Sequence, residues 1–449
     1  MDNFTLKKIL FFAGIIVFAF LLALYVPQKL AAQEQHQTSD SSGMGMQMDM
    51  SMDMGSDTND TDTPMSMKGS GTSWLPEAAP MYMAMQNSGD WMLMEHGGAF
   101  IRYTHQGGLR GDQKFDAPNW FMAMAERDIG FGGHLRFSGM FSLDPLTESG
   151  YGYPLLFQTG ETWHGIPLID RQHPHDLFAE LSAYYSQNIF SNARVFGYIG
   201  YPGEPALGPP AFMHRPSAMY LPDAPIAHHW QDATHITFGV ATLGVVYDRL
   251  KIEGSVFNGT EPDENRYDFD TPHFNSYSGR VSFNPSENIA LQVSNGFIKD
   301  PESDGIDVHR TSASILTSTT IGEDHEWNSS LVWGQNYDTE EGVQNSVLLE
   351  SAFTFSDYAV STRIEIVQKP QRELGIFISP TEKETVGEYI LGVSRKLFST
   401  EGLDVMLGAQ GAVYSMPQTL VRYYGSNPFS FEVYLGIHPS EMAMHMQGM

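Results

Sequence analysis

The chain has 449 residues, no cysteine and a formal net charge of −28, with 25 basic residues against 53 acidic ones. Without cysteine there is no disulfide framework, no thiolate metal site, no cysteine nucleophile and no anchor through a lipidated cysteine. The acidic balance excludes nucleic acid as a natural partner, because binding phosphate needs a basic surface.

Lys7 and Lys8 precede an apolar run from Ile9 to Val26, and Leu30-Ala31-Ala32 sets a small residue before Gln33. This is the layout of an export signal over residues 1–32. The competing reading is a retained inner-membrane helix, because the run nearly spans a bilayer. No second apolar run of that length follows, so membrane insertion is expected through strands.

Residues 33–90 read as a methionine-rich periplasmic linker. From Gln33 to about Lys68 the chain is Ser, Asp, Thr and Met with almost no aromatic or β-branched aliphatic residues, too little apolar surface to offset the entropy of ordering. Gly69-Ser-Gly-Thr-Ser-Trp-Leu-Pro76 marks the end of that stretch. Within it Met44, Met46, Met48, Met50, Met52 and Met54 alternate with small polar residues. Thioethers on a chain that cannot bury them suit a soft cation such as Cu(I). The same chemistry returns in the tail 439–449, where Met444, His445 and Met446 are adjacent.

Between residues 91 and 438 apolar residues recur at every second position. Tyr358, Val360, Thr362, Ile364 and Ile366 alternate with Ala359, Ser361, Arg363 and Glu365, and Phe431, Val433, Leu435 and Ile437 with Glu432 and Gly436. About sixteen such strands are expected. Connections after even strands are tight, as at 128–132 and 187–191, whereas those after odd strands are long, as at 144–175, 203–234 and 259–274. Alternating loop lengths and an even strand count describe a transmembrane, antiparallel, up-and-down β-barrel, all-β, in the outer membrane of a Gram-negative cell. Tyr184, Tyr247, Tyr358, Tyr389, Tyr424 and Tyr434 near strand ends are expected in the aromatic girdles.

The two longest loops carry Asp170-Arg-Gln-His-Pro-His-Asp176 and His228-His-Trp-Gln-Asp-Ala-Thr-His235. In extended backbone His173 and His175 project to one side, and Pro174 stiffens the residue before it. Strands four and six start at the same rim with one strand between them, so their loops should meet. His173, His175, Asp176, His228, His229, Asp232 and His235 are therefore candidate ligands, a mixed imidazole and carboxylate set suited to Cu(II) or Zn(II). The alternative is a polar plug in which these groups bond to each other and to Arg171 and Arg215. Single histidines such as His96, His134 and His309 receive no role. Neither a Gly-x-Ser-x-Gly elbow nor a His-Glu-x-x-His motif is present, so no catalytic residue is assigned and an enzyme is not expected.

The phrases Gly71-Thr-Ser-Trp-Leu-Pro-Glu77, Asp170-Arg-Gln-His-Pro-His-Asp-Leu-Phe178 and Ala227-His-His-Trp-Gln-Asp-Ala-Thr-His-Ile-Thr-Phe-Gly239 resemble those of an uncharacterised family of exported outer-membrane proteins of Gram-negative bacteria. That resemblance implies a family without an activity. A methionine-rich prefix ahead of a barrel is also similar in layout to the copper-resistance outer-membrane protein B family, which implies copper ion as ligand. The expected function is binding, transport or resistance toward copper or a related transition metal. The expected partners are outer-membrane lipid, the metal ion, and a periplasmic metal carrier or efflux partner. The alternatives are a general or substrate-specific porin and a metal-dependent membrane enzyme using the histidine loops.

Overall fold

A computed structural model describes residues 63–232, 236–322, 325–376, 379, 382–400 and 402–442. The expected ring of sixteen antiparallel strands is what forms. In chain order these are β1 (Trp91–His105), β2 (Asn119–Ile129), β3 (Gly133–Phe141), β4 (Phe178–Phe190), β5 (Ala193–Gly200), β6 (Val240–Tyr247), β7 (Leu250–Phe257) and β8 (Ser276–Ser286). The second half comprises β9 (Ile289–Ile298), β10 (Val308–Ile321), β11 (His325–Asp338), β12 (Gly342–Phe355), β13 (Tyr358–Pro370), β14 (Lys383–Thr400), β15 (Leu403–Ser415) and β16 (Phe429–Pro439). Each pairs with its neighbours in sequence, and residues 99–105 of β1 pair with 431–437 of β16 to shut the ring. Among the described residues every strand of the ring has a partner on both sides, which is the condition for a sheet to lie in hydrocarbon.

The alternation read from sequence sorts the two faces. Leu243, Ile252, Val293, Leu391 and Val393 stand exposed on the outside. Arg280, Arg310, Glu350, Arg363 and Glu432 are buried on the inside. Outward aromatics lie toward both ends of the strands, with Tyr277, Trp333, Tyr337 and Phe429 toward the long loops and Tyr247, Trp327, Tyr358 and Phe398 toward the short turns. An apolar belt between aromatic girdles is the exterior of a barrel in the outer membrane. The expectation for the tyrosines is corrected in part: Tyr184 and Tyr434 are buried inside the barrel, because strand alternation, not proximity to a rim, decides which face a residue takes, and Tyr424 is buried because it ends a short helix, Gln418–Tyr424, with its ring 4.3 Å from that of Phe157.

Connections after the even strands span two or three residues, and those after odd strands are long except 339–341. Both ends of the described chain sit at the short-turn rim, the periplasmic one: Arg194 donates to Thr63, and Ser440 N–H donates to Gly402 O at 3.0 Å. The linker expected as far as residue 90 is corrected here, because from residue 63 the chain is ordered and forms a floor across the lumen. The Lys251 ammonium lies 4.7 Å from the Trp74 ring, Thr72 Oγ1 donates to Glu253 at 2.6 Å, Asn284 donates to Leu75 O at 2.9 Å, and Ala78 N–H donates to Glu287 O at 2.9 Å. Trp74 and Leu75 supply the buried apolar surface that the preceding polar stretch lacks. The short strand Ala84–Ser88 then folds back along β1.

From the other rim the loops 142–177 and 201–239 turn inward. Arg215, from the second, donates through Nε and Nη2 to the Glu350 carboxylate at 2.9 and 3.0 Å, and Arg363 Nε donates to the same group at 2.9 Å. Ile226 and Ala227 N–H donate to Glu365, and the Arg102 guanidinium reaches Asp223 at 2.5 Å. The plug is thus tied to the wall by charge pairs closed off from water, where losing one partner strands the other.

Two outcomes follow. Leu391→Arg, at the middle of the lipid face of β14, should cost about 2–4 kcal/mol of folding free energy in vesicles, read by reversible denaturant titration. Glu350→Ala, which strands two guanidinium groups at a cost of about 3–5 kcal/mol, should free the loop 201–239. Planar bilayers should then register larger current steps than the parent barrel gives.

Candidate functional site

The first inward loop is a hairpin of Tyr153–Trp163 with Ile166–Gln172, and it carries the Asp170 to Asp176 motif. Glu161 and Asp170 hold left-handed backbone, φ 57° and 58°, conformations that β-carbon sterics disfavour and that packing must enforce. Gly160, at φ 118°, faces the His229 ring so closely that a side chain there would overlap it. Glycine at this position is what lets the two loops meet.

Where they meet, His173 Nε2 lies 3.1 Å from Glu161 Oε1 and His229 Nδ1 lies 3.4 Å from Glu302 Oε1. The rings of His173 and His229 are 5.7 Å apart, and those of His228 and His229 are 4.2 Å apart. His229, Glu261 and Glu302 each present a ligand atom within 4.8 Å of the other two, a spacing a single cation can bridge. Glu161 N–H also donates to Glu302 Oε2 at 2.9 Å, tying the hairpin to the loop after β9.

The sequence-expected residues divide among these contacts. His173 and His229 enter the group. His228 backs it, its Nε2 3.1 Å from Gln172 Oε1. His175 turns to Asp144, Nδ1 to Oδ2 at 2.7 Å. Asp176 is drawn to Arg266 at 3.1 Å, and Asp232 to Arg215 at 3.6 Å, since a buried carboxylate takes the nearest guanidinium in preference to a neutral imidazole. His235, Met44, Met46, Met48, Met50, Met52, Met54, Met444, His445 and Met446 lie outside the described residues.

Glu161, Glu261 and Glu302 were missed from sequence. The last two lie in the loops after β7 and β9, in acidic stretches that read as solvated loop. The only available signal was that acidic residues cluster in the loops neighbouring the histidine motifs.

Burial, opposed by Arg266, pushes Glu161 up to about 7, and burial opposed by the same guanidinium pushes Asp176 up to about 6. Burial together with the nearby Glu302 and Glu161 holds Glu261 well above the carboxylate range, and its Oε2 is buried without a hydrogen bond. Burial keeps His229 below its ordinary value, hence neutral and with a lone pair to give. The bond from His229 holds the solvent-exposed Glu302 low and ionised. Glu261 and Glu302 face a neutral imidazole, with Glu302 open to solvent and Glu161 paired with Arg266, and a divalent cation there would offset the repulsion between Glu261 and its acidic neighbours.

No family model matches the chain, and no curated protein matches it. Among solved structures it is similar to OmpF of Salmonella typhi in complex with daunomycin, at TM-score 0.49 and 8% identity over 79% of this chain and all of that one. It is similar also to an anion-selective porin from Comamonas acidovorans, at TM-score 0.44 and 10% identity over 78% and 99%. What the strand order, lipid-facing belt and inward loops define on their own is an outer-membrane barrel of sixteen strands with an occupied lumen.

Carboxylates raised by burial must lose a proton before they can hold a cation, so affinity for Zn(II) should fall as pH drops from 8 to 6. Glu161 alone would account for about tenfold, measurable by chelator competition across that range.

Proposed function

We propose that this barrel binds a transition-metal ion in its lumen and takes part in copper transport or resistance at the outer membrane. The observation that carries the reading is the convergence of His173 and His229 with Glu161, Glu261 and Glu302 from four separate loops. Imidazole with carboxylate suits Cu(II) or Zn(II). Copper is favoured by the methionine runs, soft ligands at both ends of a chain that enters and leaves at the periplasmic rim. The layout resemblance to the copper-resistance outer-membrane protein B family points the same way. A periplasmic carrier or efflux protein would deliver or receive the ion.

The test uses the purified full chain in detergent. His229→Ala and Glu302→Gln should each weaken Cu(II) and Zn(II) binding by more than about tenfold and remove one bound ion per barrel. Cells carrying either variant should differ from the parent in copper tolerance. Unchanged stoichiometry together with unchanged copper accumulation would overturn the proposal.

A further inference from the structure

Floor, wall and both inward loops each give part of their surface to one cavity of about 140 Å³. Tyr82 comes from the floor, His96 and Trp120 from β1 and β2, Tyr153 from the loop 142–177, and Met213 and His214 from the loop 201–239. The lining is mostly apolar, and rings supply much of it. Gly98 adds room on β1, where a β-carbon would stand 3.4 Å from Trp120 Nε1. A largely apolar cavity with a few polar groups converging on it is the usual form of a small-molecule site.

Three charged side chains also border it, Lys68, Asp144 and Arg215, and each is matched to a partner. Lys68 Nζ lies 2.7 Å from Glu126 Oε2, and Asp144 Oδ2 lies 2.7 Å from His175 Nδ1. Asp144 also accepts from Asn119 N–H at 3.1 Å, and Arg215 holds the Glu350 carboxylate at 2.9 Å. A charged molecule entering here would lose its water and would have to break one of these pairs to be neutralised. The cavity is therefore suited to an uncharged guest.

His96 and His214 stand apart from the matched charges. Their rings are 5.4 Å apart, and Trp120 packs against both, 5.0 Å from His96 and 4.7 Å from His214. Among the described residues neither ring meets a hydrogen-bond partner, and both line the cavity. Burial and the neighbouring His96 hold His214 well below its ordinary value, so it is neutral. A neutral imidazole carries one N–H and one lone pair. A hydroxyl between two such rings can donate to one and accept from the other, which satisfies both.

We propose that this cavity binds a small, uncharged, hydroxylated aromatic of the phenol class, with its hydroxyl between His96 and His214 and its ring among Trp120, Tyr153 and Met213. Volume sets the size: an apolar cavity of about 150 Å³ takes a benzene-sized molecule, so this one holds a single ring with a small substituent. Aromatic edges and the thioether of Met213 favour an aromatic guest over an aliphatic one. The site is separate from the metal group, since His173, His229, Glu261 and Glu302 do not line it. It goes beyond the metal-handling reading and does not rest on it.

The probes are 4-fluorophenol, 4-fluorotoluene, which keeps the shape and lacks the hydroxyl, and 4-fluorobenzoate, which carries a charge. Fluorine NMR of the full chain in detergent should show one saturable, shifted signal for 4-fluorophenol, at one molecule per barrel. The toluene should bind at least about tenfold more weakly, because it leaves both imidazoles unpaired, and the benzoate should give no saturable signal. His214→Leu should bring the phenol down to the affinity of the toluene, and Gly98→Val, which puts a side chain into the cavity, should weaken both. No saturable signal from 4-fluorophenol in the parent protein would overturn the proposal. So would equal binding of phenol and toluene, or phenol binding unchanged in both variants. Zn(II) binding should persist in His214→Leu and phenol binding in His229→Ala, so this site and the metal reading fail separately.

Discussion

Backbone amides cannot be left unpaired in hydrocarbon, and this structure depends on meeting that requirement by closure. Once β16 pairs with β1, the exterior is free to be leucine, valine and isoleucine, and everything polar that the strands carry must point into one shared interior. The interior is too wide for the wall's own side chains to fill. What fills it comes from the connections: a floor from the periplasmic side, and two loops from the outside bound to the wall by Arg215, Arg363 and Glu350. The same enclosure that buries charge pairs also brings the carboxylates of Glu261 and Glu302 within reach of His229.

Wall and loops place their side chains by different rules. Wall positions on β1 to β3 recur at fixed spacing, so Met94, Met122, Met124 and Met140 fall into one packed cluster. Loop positions are irregular, and can bring residues as far apart in sequence as His173, His229 and Glu302 to within a few ångströms of one another. A wall gives a lining; loops give a constellation.

The strands were legible because lipid on one side and water or plug on the other impose a strict period of two, and loop lengths then gave the sidedness. The histidine loops were legible in kind, and His173 and His229 meet as their topology implied. The carboxylate partners were not, since Glu261 and Glu302 look like any solvated acid until the fold of their loops is known. The methionine cluster of the wall was hidden for a different reason. Met94, Met122, Met124 and Met140 each read as an ordinary inward strand residue, His96 as a stray histidine, and only the pairing of β1 with β2 and of β2 with β3 aligns them. The floor was misjudged because Trp74 and Leu75 anchor a stretch whose upstream composition is that of a linker.

The position of that floor bears on how the molecule is made. Residues 63–83 precede β1 in the chain yet lie within the cylinder that β1 and β16 complete. The seam must therefore be drawn shut around a segment already laid inside, or the segment must be threaded through a rim afterwards. Either route ties the order of assembly to the leader: a bulky fusion placed a few residues before Thr63 would stand in the doorway while the wall is being sealed.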